Sequence, residues 1–237
     1  MTKPVATIAF SILLAWIGSA HADDYQNATD ATRRGEYASA FKLLKPLAEK
    51  GDARAQGDLG AMYLTGKGVA ADPKAALKWL RAAADHGNAS AQFNLGTMYL
   101  EGQVVMRDYK EAMKWNLLAA DQGLAAAQVN IASMYYDGAG VTQDYKEAAK
   151  WLRLAAEQGD ADAQLNLGNM YVAGQGVERD LLRGYMWTQL ATETFAMGVA
   201  EKKSIRDMSA KSLSPEQIAK AQAMVARCKD SNFKNCD

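Results

Sequence analysis

The chain has 237 residues, 49% of them hydrophobic, with 27 lysines and arginines against 27 aspartates and glutamates. That balance, without long basic runs, argues against the phosphate-binding surface a nucleic acid requires, so nucleic acid is not an expected partner. The length alone would suit one or two compact domains, but an internal repeat replaces that expectation with one elongated array.

In chain order, residues 1–22 carry Lys3, an apolar run from Val5 to Ile17, and Ala20-His21-Ala22, the pattern of a secretory signal peptide. The run is short for a bilayer span and no second apolar stretch follows it. The expectation is a chain exported after cleavage near Asp23, without a membrane anchor, residing in the periplasm or released beyond it. Residues 23–51 read as an N-terminal capping helix pair, 52–195 as four repeats, and 196–237 as C-terminal capping helices with a closed tail.

The repeat announces itself through Trp79, Trp115, Trp151 and Trp187, spaced 36 residues apart. Tyr63, Tyr99, Tyr135 and Tyr171 keep the same period, as do Gln56, Gln92, Gln128 and Gln164. Within one unit, Ala55, Leu59, Met62 and Tyr63 recur at helical spacing and Gly66 follows as a left-handed stop, which defines helix A. After a loop through Gly66-Lys67-Gly68-Val69, Asp72 caps and Pro73 opens helix B, whose inward stripe is Ala76, Trp79, Leu80 and Ala83. Asp108 with Glu111, and Asp144 with Glu147, predict reciprocal capping boxes. Gly87, Gly123 and Gly159 end the B helices. A pair this small cannot close its own core, so stacking on neighbours must supply the missing half, with the indole filling the seam.

Ala55-Gln56, Leu59-Gly60, Tyr63, Gly66-x-Gly68-Val69, Asp72, Ala76, Trp79 and Ala83-Ala84 closely resemble the Sel1-like repeat, a relative of the tetratricopeptide repeat. The resemblance covers four units from about Asp52 to Ala191. A leading half unit keeps Ala40, Leu44, Leu47 and Gly51 in register, with Leu43 in the tryptophan's place. The resemblance implies an all-α fold, a right-handed α-solenoid superhelix of antiparallel helix pairs whose A helices line the concave face. It also implies an adaptor that holds another protein.

Two positions break the ladder. Val104 stands where Gly68, Gly140 and Gly176 occupy the loop, which requires another backbone shape there. Ala132 replaces Gly60, Gly96 and Gly168 at a close helix contact. Beyond Trp187 the period dissolves: Ala196 to Ser209 reads as a helix without the signature. Ser214-Pro215-Glu216-Gln217 then opens a capping helix with an apolar stripe of Ile218, Ala221, Met224 and Val225. Cys228 and Cys236, the only cysteines, are expected to form a disulfide in an exported chain, since no C-x-x-C spacing supports a redox-active pair.

The chemistry of catalysis is sparsely represented. His86 is the one histidine beyond the leader and sits at a helix end, so a zinc site or a histidine-based triad lacks its parts; no metal or other cofactor is expected. Asp58, Glu101, Asp137 and Asp162 could share a face, with solvated surface charge as their ordinary role. The Gly-x-Gly-Val loops follow no strand and read as turns. Asn88 is better used as a helix cap than as a glycan acceptor.

Binding is better provided for. If Leu59 and Tyr63 face the core, the adjoining stripe of helix A is Arg54, Asp58, Ala61 and Thr65. Its equivalents are Ser90, Asn94, Thr97 and Glu101, then Ala126, Asn130, Ser133 and Asp137, then Asp162, Asn166, Asn169 and Ala173. Amide side chains both donate and accept, which suits the backbone of a bound peptide. The candidate groove residues are therefore Asp58, Asn94, Thr97, Asn130, Ser133, Asn166 and Asn169, although a periodic amide row would also arise from satisfying neighbouring helix ends. The expected function is a non-enzymatic exported scaffold for a protein or peptide partner. Two alternatives remain: a cell-wall enzyme or binder of β-lactams or muropeptides, and a secreted host-interaction factor. The first is prompted by secreted Sel1-like relatives that carry a cysteine pair in each repeat, which this chain does not.

Overall fold

The computed structural model describes residues 24–194, 207–208, 210–234 and 236. The expected leader at 1–22 and most of the helix expected from Ala196 to Ser209 lie outside them. Among the described residues the structure is helical, with no strand. A first helix, α1, covers 24–33. It is followed by α2 (Tyr37–Glu49), α3 (Ala53–Thr65), α4 (Pro73–Asp85), α5 (Ala89–Glu101), α6 (Tyr109–Asp121), α7 (Ala125–Asp137), α8 (Tyr145–Ala156), α9 (Ala161–Ala173), α10 (Leu181–Thr194) and α11 (Pro215–Asp230). None is long and apolar enough to cross a membrane.

Each repeat is an antiparallel pair. In the first, the Asp72 amide donates to the Tyr63 carbonyl at 2.9 Å, while the earlier Gly60 meets the later Leu80. The pattern recurs from Asp108 to Tyr99, Asp144 to Tyr135 and Asp180 to Tyr171. Each bond pins both ends of an interhelix loop. It also corrects the capping-box expectation. Asp108 and Asp144 do cap, each accepting two amides of the helix they open, but their own N–H is already committed to the tyrosine carbonyl. Glu111 therefore turns outward to the Trp115 indole N–H at 2.9 Å and to Lys114, and Glu147 pairs with Lys150. Among the described residues a reciprocal box forms between Ser214 and Gln217, where the Ser214 N–H goes to Gln217 Oε1 at 2.8 Å.

Three rungs of the glutamine ladder join consecutive helices, while Gln128 instead accepts from Gln158 Nε2 at 2.9 Å. Nε2 of Gln56, Gln92 and Gln164 donates to the carbonyls of Ala48, Ala84 and Ala156, at 3.1, 3.1 and 3.2 Å. Each is a carbonyl that the last turn of the preceding B helix leaves without an intrahelical donor. Gly66, Gly138 and Gly174 end the A helices with φ near +70°. Val104 adopts no such φ, so its loop does take the different backbone shape.

The contacts group into two units, Met1–Leu95 and Gly96–Asp237, with the boundary inside α5. The first has a core of Ala28 and Ala31 from α1, Ala40, Leu44 and Leu47 from α2, and Ala55, Leu59 and Met62 from α3, against which Trp79 packs half-buried. In the second, Leu152, Leu167, Met170, Tyr171, Met186 and Leu190 surround a fully buried Trp187, and Val225 and Cys228 of α11 join them. Trp115 is also buried, whereas Trp151 is only partly so. Cys228 and Cys236 are disulfide-bonded. The loop they close places Phe233, at φ +64°, over Gly159, where a Cβ would stand 3.2 Å from the ring.

Candidate functional site

The 36-residue register sorts the outward stripe of the A helices into two rows. Asp58, Asn94, Asn130 and Asn166 form one; Tyr25, Ala61, Thr97, Ser133 and Asn169 form the other. A member of the first row can reach the member of the second row on the preceding A helix. What it finds there differs from repeat to repeat.

In the first unit the Tyr25 hydroxyl donates to Asp58 Oδ2 at 2.9 Å, and the Arg54 guanidinium lies 4.2 Å from the Tyr25 ring centroid. Asp58 is exposed as a residue, but its carboxyl points into a cleft of about 400 Å³ bounded also by Thr29, Leu44, Met62 and Lys67. Loss of water there raises its pKa from the ordinary 3.8, with the Tyr25 hydrogen bond opposing. Burial, and then the neighbouring Asp58 charge, push the Tyr25 hydroxyl up to about 12, so the proton stays on tyrosine. Asn94, half-buried, faces Ala61 in this register, which has no group to bond it.

In the second unit, Nδ2 of Asn130 donates to Thr97 Oγ1 at 3.2 Å and to Asn116 Oδ1 at 3.1 Å. Asn116 occupies the position of Leu80 and Leu152. It is wholly buried, donates to the Ala112 carbonyl at 2.8 Å and lies against Gly96. Both donors of Asn130 are thus committed, one to a polar group in the core and one to Thr97, leaving only its carbonyl oxygen to offer a ligand. For Asn130 and Thr97 the contact is internal, and it runs between side chains, not to a neighbouring helix end.

Between α7 and α9 the same register is open. Ser133, Tyr136 and Asp137 of α7 face Asn166, Asn169 and Met170 of α9 across a cleft of about 280 Å³, floored by Ala132 and Leu152 and closed at one end by Gln175. Met170 and Leu152 are 3% and 4% exposed and Ala132 is 1% exposed, so the floor is preformed and apolar. Ser133, Asn166 and Asn169 are exposed and make no side-chain hydrogen bond among the described residues. Tyr136 donates to Gln175 Oε1 at 3.2 Å, and its ring meets Tyr145 edge-on at 5.0 Å. The pair holds the wall of the cleft. An apolar floor with a few placed amides and hydroxyls is the ordinary make-up of a recognition pocket. Tyr25, Asn116, Tyr136 and Gln175 are absent from the sequence-derived candidates. For Tyr25 the 36-residue register itself was the available signal, because it falls in line with Thr97 and Ser133.

Among the described residues no group of three or more histidine, cysteine or carboxylate side chains could hold a metal ion. The His86 ring sits at the end of α4 with Nδ1 2.8 Å from the Ala82 carbonyl, and Asn88 caps α5 by accepting the Ala91 amide.

The Sel1 repeat matches residues 53–88, 89–124, 125–160 and 161–193, more than half of the chain and in the same phase as the helix pairs. The chain belongs to the Sel1 repeat family. A Sel1 repeat protein from Oxalobacter formigenes is similar over 86% of this chain and 84% of its own, at 31% identity and a TM-score of 0.71. A protective antigen present in uropathogenic Escherichia coli strains, displaying an SLR fold, is similar at 26% identity and a TM-score of 0.56. That likeness covers 91% of this chain and 54% of the antigen, so the chain spans about half the antigen's length. No curated protein matches the chain. The all-α solenoid expectation is met: within each unit the Sel1 repeats pack as consecutive helix pairs, a scaffold that typically mediates protein–protein interaction.

Proposed function

We propose that this Sel1 repeat protein is an exported, non-enzymatic scaffold that holds a protein or peptide partner on the outward face of its A helices, seated in the α7–α9 cleft. The supporting observation is the cleft itself: Ser133, Asn166 and Asn169 carry unspent donors and acceptors above an apolar floor. A peptide laid across it would gain backbone hydrogen bonds from the amides while burying a side chain against Met170 and Leu152. Asp58, Thr97 and Asn130 take lesser parts in this reading, because they are closed internally or offer a single acceptor, and Asn94 does so because it is half-buried opposite the apolar Ala61. Export is supported by the leader pattern and by a Cys228–Cys236 disulfide, a bond that persists in oxidising compartments.

The test is site-specific photocrosslinking in the native cell. A benzophenone side chain at Asn169 should yield discrete adducts that disappear when Ser133 and Asn166 are both replaced by alanine, whereas one at exposed Lys150 on α8 should yield none. Equal adducts from both positions would overturn the assignment of the face.

A further inference from the structure

We propose that the α7–α9 cleft is a seat for a basic side chain, arginine before lysine, of the bound peptide, with Asp137 as its counter-charge. The inference rests on the peptide-binding reading and adds the chemical class of the ligand. Three observations carry it.

The first is the charge of the lining, which contains one ionisable carboxylate, Asp137, and no lysine or arginine. Six cations of this unit are engaged elsewhere. Lys114, Lys150, Arg183 and Lys229 pair with Glu111, Glu147, Asp180 and Glu193, Arg153 bonds the Tyr171 hydroxyl, and Arg179 donates to the Val172 carbonyl at 3.1 Å. Asp137 has no partner among the described residues.

The second is the position of Asp137 as the last residue of α7, a helix with no basic residue in its last turn. A carboxylate there lies at the negative end of the helix dipole, where cations are favoured and anions are not. The rim is an unneutralised negative spot built from a side chain and a helix end together.

The third is shape. The floor of Ala132, Leu152 and Met170 is apolar, while Asn166, Asn169 and the Tyr136 ring stand at the rim. A long aliphatic stem with a planar cationic head matches that layering: methylenes on the floor, guanidinium hydrogens on Asp137 and the asparagine oxygens, and the head against an aromatic ring.

The experiment is selection of a random dodecapeptide display library on the immobilised protein, oxidised and leader-free, and on its Asp137→Asn variant. This exposed, unpartnered position should leave folding intact, which circular dichroism checks. Wild type should enrich peptides with a fixed arginine or lysine, and that preference should vanish on Asp137→Asn. For the best synthetic peptide, arginine→citrulline should weaken binding roughly tenfold or more on wild type, as for loss of a charge-assisted hydrogen bond, and less than about twofold on the variant. Enrichment without a basic residue, or one indifferent to Asp137→Asn, would overturn the cation seat and leave the peptide face standing. No enrichment from either protein would overturn both.

Discussion

The A-helix register of the first unit and that of the second start from the same backbone and end in opposite conditions. At α1 and α3 a tyrosine and an aspartate have closed on each other, Tyr25 to Asp58, with an arginine laid over the ring. At α7 and α9 the corresponding positions hold Ser133 and Asn166, which do not bond, and a cleft with an apolar floor is left between them. Repetition therefore fixes where a seat can exist, and the size and polarity of one side chain in each row decide whether the protein fills the seat itself. In the function proposed here, binding belongs to the positions where the lateral contact was not made.

The largest effect is expected from exchanging the side chains of the two seats. Ser133→Tyr places at the open seat the residue type that closes the first one, so it should fill the cleft and lower peptide affinity about a hundredfold, close to 2.7 kcal/mol. The melting temperature should stay within a few degrees; titration of a labelled peptide alongside a thermal melt separates the two effects. Retained affinity would mean that the peptide does not use this cleft.

A smaller effect is expected at the intermediate case. Asn130→Ala removes the donor that satisfies Asn116, a fully buried amide, and should destabilise the protein by about 1–3 kcal/mol in urea unfolding. Adding Asn116→Leu, the residue type found at positions 80 and 152, should recover most of the loss. A single substitution without cost would show that the buried amide needs no partner.

The smallest expected effect is a pH dependence at the closed seat. Because desolvation holds the Asp58 carboxyl above its ordinary 3.8 in the folded state, the native protein binds its proton more tightly than the unfolded chain does. The stability this contributes is fully present below the unfolded value and is lost as pH rises through the folded one. Asp58→Asn keeps an acceptor for Tyr25 but loses the charge. Its urea midpoint relative to wild type should therefore rise on going from about pH 3 to about pH 6. A difference that stays flat would remove the desolvation argument.

The fold was legible in the sequence because each repeat must present the same packing positions to its neighbours. Tryptophan, tyrosine and glutamine at one period leave a mark that no lateral detail disturbs. Three of the four glutamines, Gln56, Gln92 and Gln164, proved to bind a carbonyl at the end of the preceding B helix, a periodic task with a periodic residue. The site was less legible because it depends on pairs in adjacent repeats. Nothing in the run Asn94, Asn130, Asn166 says that the second is spent on a buried Asn116 while the third is free. The capping boxes failed for a related reason: the local pattern around Asp108 and Asp144 was right, but a tyrosine carbonyl from the preceding helix had already taken the amide that the glutamate would need.

The seating of Phe233 over Gly159 by the Cys228–Cys236 loop bears on how such an array can lengthen. That aromatic lid lies on the turn joining α8 to α9, so a unit appended after α10 would have to displace both it and α11. Growth or shrinkage by whole 36-residue steps is compatible with the lid only upstream of that turn. Lineages with more or fewer repeats should keep this closing piece unchanged while the interior count drifts.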